Sequence, residues 1–142
     1  MLFDPIRSCA VEATPEEKVR QTLILQLIGP LGFPKGLIAV EKELSALSSQ
    51  KVPSTLNRRV DVVCFCPVGS TLRPLLLIEC KADVINEKAE NQLFGYNSWI
   101  GAPFISLVSE NTAKTLWREK GGWISIPYIP PYHELKQVFD PR

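Results

Sequence analysis

The amino-acid sequence predicts an α/β fold, a central mixed sheet of four or five strands flanked by helices, in the order α-β-β-β-α-β. Three observations carry that prediction. Leu75-Leu76-Leu77-Ile78 is an unbroken aliphatic run without a turn residue, the pattern of a strand buried on both faces. Residues 15–28 carry a helical apolar stripe with a marked start and stop, and residues 86–100 carry a second. That second helix lies between two strand patterns, so strands and helices share one chain segment and one core.

Length and composition agree. The 142 residues suit a single domain, with a core over about 14–126 and a proline-rich, extended tail over 127–142. Apolar residues make up 45% and charged residues 22%, values of an ordinary globular chain rather than a disordered one. A net charge of +1 gives no global basic field for tight nonspecific nucleic-acid binding, though it leaves room for a local site. No apolar run is long enough to span a membrane, and Asp4-Pro5 interrupts any signal pattern. A cytoplasmic location is the default expectation.

Residues 1–13 read as an irregular lead-in. Thr14-Pro15-Glu16-Glu17 then starts the first helix: Thr14 suits the N-cap, Pro15 the first helical position and Glu17 the third position of a capping box. Val19, Leu23, Ile24, Leu27 and Ile28 form its apolar stripe, which stops at Gly29-Pro30. Residues 37–44 form a first, half-exposed strand, interrupted on one face by Glu41 and Glu43. The polar stretch 45–57 reads as a flexible loop. Residues 60–66 make the second strand, and Pro67-Val68-Gly69-Ser70 turns it back into the third, 73–81, as an antiparallel hairpin. Asn86 can cap the second helix, whose buried face is Ala89, Leu93, Tyr96 and Ile100. Phe104 to Val108 is a fourth strand, and 115–117 and 123–126 form short closing strands around Gly121-Gly122. Tyr128 and Tyr132 are expected to dock the tail.

Chemistry concentrates where the buried strand ends. A core strand ending in Glu79-Cys80-Lys81 places Glu79 and Lys81 on one face and Cys80 on the other. Asp61 lies in the second strand, where an aspartate is disfavoured. If these strands pair, Asp61 stands beside Glu79, and the two carboxylates repel. A divalent cation removes that conflict. Mg2+ suits such a site, taking one or two carboxylates together with waters and phosphate oxygens, and the Cys80 backbone carbonyl offers a further oxygen. Lys81 can then orient or deprotonate an attacking water. Asp61, Glu79 and Lys81 together form a set suited to metal-dependent phosphodiester hydrolysis. Gln92 and Tyr96, four apart on the second helix, face one way and can hold a nucleic-acid backbone or brace the lysine. Glu17 is a candidate third carboxylate, or a partner once removed from the metal.

These residues resemble a known signature. Asp61 followed by Glu79-Cys80-Lys81 is similar to the D…E-x-K motif of the PD-(D/E)XK nuclease superfamily. Gln92-Leu93-Phe94-Gly95-Tyr96 is similar to the Q-x-x-x-Y motif of its RecB-like branch. With Glu16-Glu17-Lys18-Val19-Arg20-Gln21 and the Arg59-Val60-Asp61 step, residues 14–110 resemble the N-terminal nuclease domain of type I restriction enzyme R subunits. The resemblance implies a restriction-endonuclease-like fold and an Mg2+-dependent nuclease acting on DNA, with Mn2+ able to substitute. It assigns Asp61 and Glu79 as metal ligands, Lys81 as the catalytic lysine, Glu17 as the first-helix glutamate, and Gln92 and Tyr96 as the auxiliary pair. Arg20, Arg58 and Arg59 are candidates for phosphate contacts. Two features depart from the family: there is no G-x-x-x-x-G-K-[ST] motor motif, and Ser109-Glu110-Asn111 stands where an Asn-Gly turn is usual. Beyond DNA, the expected partners are a second copy of the chain or a separate motor or DNA-handling protein.

Plainer readings accompany each residue. Glu79 and Lys81 could be an exposed strand-end ion pair, and Asp61 could pair with Arg58 or Arg59. Glu17 is fully explained by the capping box. Arg20 and Gln21 suit the helix surface, while Gln92 and Tyr96 suit a solvated amide and a core phenol. Trp99, Trp117 and Trp123 read as core or edge packing rather than base-stacking platforms. Cys9, Cys64, Cys66 and Cys80 read chiefly as reduced residues, since a zinc site would have to recruit His133 from the tail. At the level of the whole chain, the alternative to a nuclease is a non-catalytic nucleic-acid-binding or assembly module that keeps the fold.

Overall fold

A computed structural model describes residues 1–140. Two short strands open the chain, β1 (Leu2–Asp4) and β2 (Cys9–Val11), followed by helix α1 (Pro15–Ile28) and strand β3 (Ile38–Glu43). A single-turn helix, α2 (Leu44–Leu47), leads to the long strands β4 (Arg59–Val68) and β5 (Thr71–Cys80). Helix α3 (Glu87–Ile100) crosses to β6 (Phe104–Val108), and β7 (Ala113–Glu119) and β8 (Gly122–Ile126) complete the sheet. A last helical turn, α4 (Tyr132–Leu135), runs into a 3₁₀ turn over Lys136–Phe139.

Strands β3 to β8 form one six-stranded sheet in sequential order. Every neighbouring pair is antiparallel except β5 and β6, which the α3 crossover makes parallel. The sheet is therefore mixed, as predicted, and one strand wider than the upper expectation.

Strand β5 sits at its centre for a physical reason. Leu75, Leu76, Leu77 and Ile78 are all fully buried, and each such side chain contributes about 1.5–3 kcal/mol by leaving water. On one face Leu76, Ile78 and Cys80 pack with Val19, Leu23 and Leu27 of α1. On the other, Leu77 packs with Ala89 and Leu93 of α3. Two helices on opposite faces thus require a strand that is apolar on both.

Local chemistry sets the boundaries. The Thr14 hydroxyl accepts the Glu17 N–H at 3.1 Å and caps α1; Asn86 caps α3 in the same way through the Ala89 N–H at 2.9 Å. Helix α3 ends on Gly101 at φ 75°, a left-handed conformation that costs glycine nothing. The hairpin between β4 and β5 turns through Gly69-Ser70, with Gly69 at φ 62°. The register of that hairpin shifts between Cys64 and Phe65, where Pro74 stands opposite. A proline lacks the ladder N–H, so an irregularity of the ladder is where it fits.

Three expectations need correction. Residues 1–13 are not irregular: they form the β1–β2 hairpin, held by a buried Asp4. The stretch 45–57 is not wholly free, because Leu44 just before it and Val52 within it are buried in the α3-side core. The tail is not extended throughout: from Tyr132 to Phe139 it coils into α4 and the 3₁₀ turn, and Ile129 and Leu135 enter the α1-side core. Tyr132 docks it, with its ring 5.4 Å from that of Phe33 and its N–H donating to the Leu31 carbonyl at 2.9 Å. Tyr128 is 55% exposed and does not dock. Proline residues made the tail look extended, but Pro131 stands just before the helical turn, where its fixed φ is compatible. The last two residues of the predicted tail lie outside the described residues.

Candidate active site

The antiparallel ladder between β4 and β5 runs from Val68 and Thr71 to Val62 and Ile78, and then stops. Beyond that point the strands part, and two carboxylates fill the fork. The Asp61 N–H donates to Glu79 Oε1 at 3.2 Å, and the Cys80 N–H donates to Asp61 Oδ2 at 2.7 Å. Each carboxylate thus satisfies a backbone donor of the opposite strand that the broken ladder would otherwise orphan. Strand β5 stays fixed by β6, with the Lys81 N–H on the Val108 carbonyl at 2.8 Å.

Glu79 is 8% exposed. Burial, reinforced by the negative charge of Asp61, pushes its carboxyl up to about 8. The partly buried Tyr96 phenol is raised by burial first, then by the charges of Glu79 and Asp61. The α3 face carrying Tyr96 also carries Gln92, whose Oε1 accepts from Lys81 Nζ at 3.5 Å, the long limit of a hydrogen bond. Gln92 is exposed, and Lys81 and Tyr96 are half-buried. The fold therefore brings Asp61, Glu79, Lys81, Gln92 and Tyr96 to one end of β5.

Arg20 reaches the same fork from α1. Its Nη2 donates to Asp61 Oδ1 at 3.0 Å and lies 3.3 Å from Glu41 Oε1, while Nη1 donates to Glu17 Oε1 at 3.0 Å. Arg20 and Gln21 are not on the helix surface, as the plainer reading expected; both are buried. Burial works against the Arg20 charge, but Asp61, Glu17 and Glu41 outweigh it and hold the guanidinium more firmly protonated. The partner of Asp61 is thus Arg20, not Arg58 or Arg59. Arg58 turns back onto the Thr55 and Asn57 carbonyls at 3.3 and 2.9 Å. Arg59, its side chain 66% exposed, approaches Glu41 at 3.7 Å.

Glu17 makes half a capping box. Its N–H is capped by Thr14, but its carboxylate takes Arg7 at 2.7 Å, Arg20 at 3.0 Å and Gln21 at 3.1 Å. It meets Asp61 only through Arg20.

Sequence reasoning missed Asp4, Arg7 and Glu41. Glu41 left one trace, the point where the apolar start of β3, Ile38-Ala39-Val40, gives way to charge. It holds φ 53°, uncommon for a residue with a Cβ, and its carboxylate lies among Arg7, Arg20 and Arg59.

Asp61 and Glu79 fit a divalent cation as a two-carboxylate site. Glu79 is buried at the fork beside Asp61, and a cation would stabilise the two carboxylates as an ionised pair. Among the described residues no group of three or more His, Cys, Asp or Glu side chains converges on one point, and the Glu17 carboxylate is taken up by Arg7, Arg20 and Gln21. Cys64, Cys66 and Cys80 are buried and unpaired, with the Cys64 and Cys80 thiols raised chiefly by burial; Cys9 is exposed. His133 is exposed on α4. Trp99 is half-buried against the α3-side core, and the Trp117 ring lies 6.0 Å from that of Phe104. Trp123, 45% exposed, packs 4.6 Å from Phe94 at the sheet edge. Among the described residues no helix is long and apolar enough to cross a membrane.

Compared with known families, residues 15–130 match the family described as Type I restriction enzyme R protein N terminus. No curated protein and no solved structure matches the chain.

Proposed function

The chain belongs to the family of type I restriction enzyme R protein N-termini, and from that premise we propose that it hydrolyses DNA phosphodiesters with Mg2+, as a restriction-endonuclease-like domain of the PD-(D/E)XK type. The observation that carries this reading is the fork, where Glu79, buried near the end of β5, stands beside the partly buried Asp61 of β4, and burial with the Asp61 charge pushes Glu79 up to about 8. Asp61 and Glu79 would hold the cation, with the Cys80 carbonyl as a further oxygen and the remaining positions left to water and substrate. Bound there, Mg2+, or Mn2+ in its place, would supply positive charge against the phosphodiester and make water more acidic.

The protein's own groups divide the remaining work. Lys81 would orient the attacking water through its ammonium group or, in its neutral form, take a proton from that water. Gln92 supports Lys81 from α3, and the Tyr96 hydroxyl offers a donor to the DNA backbone. Arg58 and Arg59, both exposed, are available to phosphates at the outer rim. Arg20 positions Asp61 rather than presenting itself to DNA, because its guanidinium is turned onto three carboxylates.

A second reading, a binding or assembly module that keeps the fold without cleaving, draws on Arg20 as well. Arg20 already neutralises part of the charge that a cation would need on Asp61. Incubating circular and linear DNA with the protein in Mg2+ or Mn2+, beside Lys81→Ala, separates the two. Cleavage by the wild type that is lost in the variant supports hydrolysis at this site. Equal cleavage by both removes Lys81 from it, and DNA retention without cleavage favours the binding module.

A further inference from the structure

The segment matched to the family begins at residue 15, yet the hairpin before it holds one end of a charge chain that reaches Asp61. Asp4 anchors that hairpin. Its buried carboxylate accepts the Ile6 and Arg7 N–H groups at 2.7 and 3.0 Å, Arg7 Nε at 2.6 Å and Gln21 Nε2 at 3.0 Å. Burial alone would raise Asp4, but these bonds outweigh it and keep the carboxylate ionised below its ordinary range. Thus held, the Arg7 guanidinium places Nη2 2.7 Å from Glu17 Oε1 and Nη1 3.6 Å from Glu41 Oε2.

Glu17 Oε1 is the same atom that accepts Arg20 Nη1, and Glu41 is the same carboxylate that approaches Arg20 Nη2. Three carboxylates therefore compete for one buried guanidinium, and Arg7 satisfies part of two of them. The competition is close: Nη2 lies 3.0 Å from Asp61 Oδ1 and 3.3 Å from Glu41 Oε1. Without Arg7, Glu17 and Glu41 would keep Arg20 as the buried cation they share, in direct competition with Asp61.

We propose that Arg7 is a positioning residue: through Glu17 and Glu41 it keeps Arg20 on Asp61, and so keeps Asp61 in the orientation that caps the Cys80 amide. The consequence for hydrolysis rests on the function proposed above, whereas the orientation of Asp61 does not.

The test compares wild type, Arg7→Ala and Arg7→Lys by the chemical shift and hydrogen exchange of the Cys80 amide, referenced to the Leu77 amide of the same strand. A charge-assisted bond to Asp61 protects that amide. Arg7→Ala is expected to shift it and to speed its exchange relative to Leu77, which merely global opening would not do. Arg7→Lys keeps a charge beside Glu17 but cannot span Asp4, Glu17 and Glu41 as the guanidinium does, and is expected to fall between; it carries the test if Arg7→Ala does not fold. DNA cleavage is expected to fall by about 10–100-fold in kcat with a smaller change in KM, the scale seen for groups that orient metal ligands. A folded variant whose Cys80 amide matches the wild type overturns the proposal. If the wild type cleaves no DNA, the function proposed above falls, while the amide comparison still decides the role of Arg7.

Discussion

Replacing Glu79 with glutamine removes one ionisable group from the strand fork and keeps an oxygen able to accept the Asp61 N–H, now 3.2 Å from Glu79 Oε1. In the folded protein Glu79 titrates at about 8, against an ordinary glutamate value of 4.5. Between those two values the native chain holds a proton that the unfolded chain has released. The stability contributed by this proton is then fully present below about pH 4.5, falls as pH rises, and is lost above about pH 8, with a slope of up to about 1.4 kcal/mol per pH unit. The whole span corresponds to a loss on the order of 5 kcal/mol, a large part of a domain's total stability. Asp4 acts in the opposite sense, since its carboxyl is lowered, but its window lies below its ordinary value of 3.8 and does not overlap. The assay is urea unfolding from pH 5 to 9 in the presence of a chelator. Wild type should lose stability steadily across the range and Glu79→Gln should lose much less, so the variant becomes the more stable protein at pH 8–9. Adding Mg2+ at pH 8 should then stabilise the wild type and not the variant, because a ligand stabilises the state it binds. Parallel pH profiles for the two proteins, or a wild type that gains stability through this window, would refute the reasoning.

Two further predictions concern packing and charge. Arg20→Ala leaves Glu17, Glu41 and Asp61 without their shared partner and should destabilise the fold by about 3–5 kcal/mol, measured by urea unfolding at pH 7; a loss below about 1 kcal/mol would mean that water already solvates these carboxylates. Leu135→Ala should cost about 2–5 kcal/mol if the tail is part of the α1-side core, and a thermal midpoint equal to wild type would mean that α4 only rests on the surface.

Much of the fold was legible because its signals are local. Thr14, Pro15 and Asn86 mark helix starts whatever lies elsewhere in the chain, and the Leu75–Ile78 run demands burial on both faces wherever its strand is placed. Alternation likewise sets Glu79 and Lys81 on one face and Cys80 on the other. The early hairpin and the coiled tail were not legible for the complementary reason. Residues 1–13 are too short and too weakly alternating to announce strands, and the tail's helical turn gains its stability by burying Ile129 and Leu135 against α1.

The sequence by itself determined the α/β class and the central strand, and it put Asp61, Glu79, Lys81, Gln92 and Tyr96 forward as one candidate set, because propensity, alternation and motif spacing act over a few neighbours. Only the tertiary structure decided which charges meet. The bond from Arg20 to Asp61 joins residues 41 positions apart, and that from Arg7 to Glu17 joins residues 10 apart across a turn between two elements. An ion pair depends on distance and on the water excluded around it, and neither exists until the helix, the hairpin and the strand fork have packed together.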